Sequence, residues 1–80
     1  MNVGLAVRSR ILELCAERGI TVNRLATICG ITQSTLNNIV NFQSCNPTIV
    51  TIKKICDGLE LPLNRFFTSP LFDSLEQELR

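Results

Sequence analysis

The sequence predicts an all-α domain of five short helices, with room for a short sixth near the C-terminus. Three observations predict it. Apolar residues recur at three- and four-residue spacing and do not alternate strictly. Gly19, Gly30, Pro47, Gly58, Pro62 and Pro70 divide the chain into segments of helix length. The connections between segments are a few residues long, as in a compact bundle. The 80 residues fit one small domain, and 45% apolar content supports a core and argues against a disordered chain.

Each element has its own signal. Val7, Ile11, Leu14 and Cys15 line one face of a first helix that ends near Arg18 and Gly19. Thr21 caps a second, with Leu25, Ile28 and Cys29 inward and Gly30 as its left-handed terminator. Thr32 caps a third, with Leu36, Ile39 and Val40 inward. Pro47 is expected near the first turn of a fourth, striped by Ile49, Ile52, Ile55, Cys56 and Leu59, with Gly58 near its end. The β-branched run 49–52 resembles a strand, but helical spacing continues to Leu59 and decides against one. Pro62 opens a short fifth helix carrying Leu63, Phe66 and Phe67. Past Pro70, the spacing of Phe72, Leu75 and Leu79 suits a last amphipathic turn or two.

Charge and composition narrow the function. Eight Lys and Arg face seven Asp and Glu, a net +1. That argues against a histone-like coat and against a polybasic membrane binder. Residues 1–70 carry seven basic against four acidic side chains, net +3, and residues 71–80 one against three, net −2. The body is mildly basic and its short amphipathic tail acidic. Histidine is absent, which removes the commonest general base and the commonest metal ligand. Cys15, Cys29, Cys45 and Cys56 form no C-x-x-C, so neither a zinc site nor a redox pair is signalled. Asp57 and Glu60 read as a solvated helix end. The expectation is a protein without catalytic residues, metal, cofactor, membrane partner or small-molecule substrate. No secretory signal or membrane-length run is visible, so the expected setting is the cytoplasm, with mostly buried, reduced thiols. Cys45, in a loop, is the one thiol expected to be exposed.

The informative stretch joins the second and third helices. Ala26 is small and stands four residues before Gly30, so two helices can approach at a steep angle around a sharp turn. Leu36 and Ile39 anchor the third helix and leave its opposite face outward, the geometry of a helix-turn-helix. That face is chemically specific. Gln33, Asn37 and Asn41 form one row, Ser34 and Asn38 another, and Thr35 flanks them. Amides and hydroxyls both donate and accept, which suits base edges in a major groove. A merely solvated face would favour Glu, Lys and Arg, which are better helix formers than Asn or Ser.

These residues resemble the phage-repressor and Cro type of helix-turn-helix regulators, the XRE family. The resemblance runs over roughly residues 5–67. It rests on Leu25-Ala26, the run from Gly30 through Ile31, Thr32, Gln33, Ser34 and Thr35 to Leu36, then Ile39, Asn41 and Asn46-Pro47. Ile52, Ile55, Cys56, Leu59, Leu61-Pro62-Leu63 and Phe66-Phe67 continue it. It implies a five-helix lambda-repressor-like DNA-binding domain at residues 1–70, with 71–80 as a tail. The implied function is a transcriptional regulator, a repressor, that reads a palindromic operator in double-stranded DNA as a homodimer. By the resemblance Gln33, Ser34 and Asn38 occupy base-reading positions, and Thr35 and Asn37 on the same helix are grouped with them. Thr21, Asn41 and the loop 43–46, with Gln43 and Ser44, occupy phosphate-contacting positions. Asn23, on the first turn of the second helix, is grouped with these. Leu63 and its neighbours fall where family members often dimerise, so Leu63, Phe66 and Phe72 are the expected dimer residues.

Four departures qualify the resemblance. Val22 stands where the family usually has Gln, removing one phosphate contact. Phe42 puts a large apolar group in the loop after the third helix, either filling a local cluster or meeting a partner subunit. Cys15 and Val40 replace a common Arg–Glu pair with two apolar partners, which strands no charge. Residues 25–52 contain no charged side chain, so phosphate neutralisation falls to helix N-termini, backbone N–H groups and the periphery. Of the peripheral cations, Arg10, Arg24 and Lys53 are the expected contacts. The rival reading keeps the fold and uses this surface to bind a protein, as an antitoxin or anti-repressor partner would be bound.

Overall fold

The computed structural model describes residues 1–41 and 46–79. Its regular elements are α1 (Val3–Arg18), α2 (Val22–Cys29), α3 (Gln33–Asn41), α4 (Ile49–Gly58) and α5 (Leu63–Phe66), followed by one 3-10 turn, Pro70–Phe72. The all-α, five-helix expectation holds, and no strand occurs among the described residues.

Side-chain caps start four of the helices. Asn2 Oδ1 accepts from the Leu5 N–H at 2.8 Å, Thr21 Oγ1 from Arg24 at 3.0 Å, Thr32 Oγ1 from Thr35 at 3.2 Å and Thr48 Oγ1 from Thr51 at 3.1 Å. Each satisfies an amide that the first helical turn leaves without a partner. Thr48 as cap corrects the placement of Pro47, which stands one residue before the cap. Proline suits an extended lead-in and disfavours helical conformation in the residue before it. The C-termini of α1, α2 and α4 close in one way. Gly19, Gly30 and Glu60 take positive φ of 63°, 69° and 54°. The following amides of Ile20, Ile31 and Leu61 then donate to Cys15, Ala26 and Cys56 at 3.0, 3.0 and 2.8 Å.

The core lies where α1, α2, α3, α4 and α5 converge. Ile11, Leu25, Ala26, Leu36, Ile55, Cys56 and Phe66 are wholly buried. Cys15 is buried and Val40 packs against the same cluster, so the apolar pair sits in the core as expected. Gly58 allows α2 and α4 to touch: a Cβ there would lie 3.1 Å from Cys29 Cα and 3.2 Å from Ile28 Cγ2. The expected last amphipathic turns reduce to the 3-10 turn. Beyond it the described tail is not helical, the Glu76 N–H donates to Met1 O at 3.2 Å, and Leu79 is 87% exposed. No described helix is long and apolar enough to cross a membrane.

Candidate nucleic-acid interface

Leu36 and Ile39 hold α3 to the core, and that anchoring turns its other side outward. Gln33, Ser34, Thr35, Asn38 and Asn41 are exposed on it. Gln33, Ser34 and Asn38 make no side-chain hydrogen bond to any described residue. Thr35 Oγ1 accepts from Thr32 Oγ1 at 2.7 Å, which leaves its own proton to offer outward. Asn37 differs from its neighbours. It is half-buried, and its Nδ2 donates to Asn23 Oδ1 at 2.6 Å and to Gln33 O at 2.8 Å.

Behind α3, α2 presents its N-terminus. Thr21, Asn23 and Arg24 are exposed, and neither α2 nor α3 carries an acidic residue in its first turn. The partial positive charge of these helix starts is therefore not offset locally. Thr21 uses its oxygen as the cap and keeps its hydroxyl proton available. Arg24 forms no ion pair with a described residue. Lys53 pairs with Asp57 one turn on, and this hydrogen bond, with the carboxylate's charge, raises its already high pKa. Asn46 sits at the start of α1, where a Cβ on Gly4 would lie 2.6 Å from its Oδ1. Phe42, Gln43, Ser44 and Cys45 lie outside the described residues.

Two expected roles are corrected. Arg10 is not at the periphery. It is 7% exposed, and its Nε and a terminal nitrogen donate to Phe66 O at 2.7 Å and Arg65 O at 2.9 Å. Glu13 pairs with its other terminal nitrogen. With three of its five N–H donors bonded within the chain, one of them to the Glu13 carboxylate, this guanidinium is spent on holding α1 to α5 and not on an outward phosphate. Phe66, expected at a dimer interface, is wholly buried within the chain, in contact with the Phe67 and Phe72 rings. Leu63 and Phe72 are half-buried and pack against the core from outside. Sequence reasoning also missed the Asn23–Asn37 bond, which depends on how two helices meet and has no local signal. The role of Arg10 did have one. It lies three residues after Val7 and four before Leu14, inside the apolar stripe.

Three thiols also lie against the core. Burial pushes the pKa of Cys15, Cys29 and Cys56 up, and neighbouring Cys15 and Cys56 add to the rise at Cys29. All three are held as thiols rather than nucleophilic thiolates at neutral pH.

Two short helices bent about a left-handed glycine, the second with its polar side outward, define a helix-turn-helix. Residues 10–64 match the Cro/C1-type HTH DNA-binding domain, and the chain belongs to that family. It is 30% identical over 69 residues to the HTH-type transcriptional regulator SutR of Escherichia coli (strain K12), covering 86% of this chain and 38% of that one. It is 31% identical over 67 residues to the HTH-type transcriptional regulator PuuR of the same organism, covering 84% and 36%. The chain thus spans well under half the length of these relatives. Among solved structures, that of the prophage Lp1 protein 11 superposes with a TM-score of 0.79 at 36% identity, covering 94% of this chain and 100% of that one.

Proposed function

We propose that the protein is a sequence-specific transcriptional repressor that acts in the cytoplasm as a homodimer on a palindromic operator, and is not an enzyme. Residues 1–70 are the binding unit and 71–80 its tail. The observation that carries this reading is the outward side of α3, where the side chains of Gln33, Ser34 and Asn38 have no hydrogen-bond partner among the described residues. These three, with Thr35, read base edges in the major groove. Thr21, Asn23, Arg24 and Asn41 meet phosphates, and Lys53 adds its charge at the edge. Leu63 and Phe72 remain the dimer contacts once Phe66 is assigned to the core. Two-fold symmetry then sets the two α3 helices about 34 Å apart, one turn of duplex. The regulators SutR and PuuR support the regulatory role.

The test is enrichment of bound duplexes from a random pool at stated salt. A palindrome is expected. Gln33→Ala combined with Asn38→Ala should weaken binding to it by about tenfold or more while helix content is unchanged. A pool that yields no common sequence overturns the reading. It would favour the protein-binding alternative, which Ile49 and Val50 support by being 57% and 62% exposed at the start of α4.

A further inference from the structure

The orientation of the Asn37 amide is fixed by chemistry. Gln33 O can only accept, so the Asn37 atom 2.8 Å away from it must be Nδ2. Nδ2 has two hydrogens, and the second points at Asn23, 2.6 Å away, whose facing atom must therefore be Oδ1. Both Asn37 protons are thus used inside the protein. Its Oδ1 has no bond to a described residue, yet no described buried polar side-chain atom lacks a partner, so that oxygen reaches solvent. The oxygen stands on the same row of α3 as Gln33, one turn further along. Asn23, having spent its own oxygen, keeps two N–H donors at the start of α2.

From this geometry we infer that Asn37 is a specificity-determining residue that reads as an acceptor only, locked in that state by Asn23. The inference rests on the DNA-reading function proposed above and adds the chemistry of one contact. A free asparagine grips adenine with two bonds, accepting from N6 and donating to N7. Asn37 has no donor left for N7. It accepts one hydrogen bond from an exocyclic amine, which adenine offers at N6 and cytosine at N4. Guanine and thymine present only acceptors at the corresponding edge and are rejected. One base of each half-site is therefore A or C and not G or T. The amide protons of Asn23 remain free to bind phosphate, so the lock also ties the placement of α2 to the reading by α3.

The experiment repeats the duplex enrichment with the wild-type protein and three variants, each checked for unchanged helix content by circular dichroism. The wild type should show one position accepting A and C about equally and excluding G and T by about tenfold or more. Asn37→Ala should make that position indifferent and leave the others unchanged. Asn37→Asp, which keeps an acceptor and can take a proton from a turned Asn23 amide, should retain the A-or-C preference at lower affinity. Asn23→Ala releases one Asn37 proton, and the same position should narrow to adenine. An Asn37→Ala motif identical to the wild type overturns the inference while leaving the general reading intact. So does an Asn37-dependent position that selects G or T, or one still open to A and C in Asn23→Ala. Absence of any wild-type motif overturns both.

Discussion

At the scale of single residues, Arg10 is the side chain whose position most constrains its use. One of its donors satisfies the Phe66 carbonyl at the end of α5, and another adds to the Arg65 carbonyl, which the Thr68 N–H also reaches. Arg10→Met keeps most of the packed stem and removes the donors. It should lower unfolding stability by on the order of 2 kcal/mol, the cost of stranding a buried acceptor, measured by urea denaturation. A change within a few tenths of a kcal/mol would mean that water replaces the guanidinium without loss. The inward facing of Arg10 was written in its register with Val7 and Leu14, but a charge in an apolar stripe is easily read as an exposed one. Asn37 was placed correctly on the polar side of α3. That Asn23 would claim one of its protons was not legible, because the two residues are fourteen apart and meet only after α2 and α3 pack.

At the scale of elements, the junctions around α4 make the sharpest claims. Glu60 holds a left-handed conformation, φ 54°, that glycine adopts without a Cβ penalty. Glu60→Gly should raise stability by up to about 1 kcal/mol, read as a higher denaturation midpoint at unchanged slope. Gly58→Ala should act in the opposite direction. Alanine is the better helix former by about 1 kcal/mol, but its methyl group would press on Cys29, whose Cα would stand only 3.1 Å away. Backbone cannot yield as a side-chain tip can, so a net loss of about 1–3 kcal/mol is expected. Cys29→Ala in the same chain should recover part of it, because the thiol is the other obstacle. Two helix starts were marked in the sequence by Thr21 and Thr32, whose hydroxyls do cap; the Thr48 cap of α4 was not read. Pro47 was one step out because two adjacent residues, a proline and a threonine, both carry start signals and only the hydroxyl makes the cap.

At the scale of the whole molecule, charge is arranged unusually for a DNA-binding family. Residues 25–52 are uncharged, Arg10 is committed to α5, and Lys53 is paired with Asp57. On the proposed function, affinity should fall gently with salt, with a slope of log K against log salt of about −2 to −4 per protomer. A titration of operator binding across salt concentrations measures it, and a slope as steep as that of strongly basic repressors would contradict the charge assignment. The architecture was legible because helical spacing, two threonine caps and two glycine terminators agree with one another over most of the chain. The electrostatics were less legible, since counting cations along a sequence does not separate those facing water from those turned inward.

The side chains of Gln33, Ser34 and Asn38 hydrogen-bond to no described neighbour, while Leu36 and Ile39 on the same helix hold it in place. Their exchange therefore leaves the scaffold's folding almost untouched. On the proposed function, a lineage of such proteins can drift to new target sites by swapping these interchangeable letters one at a time, with no compensating change in the interior.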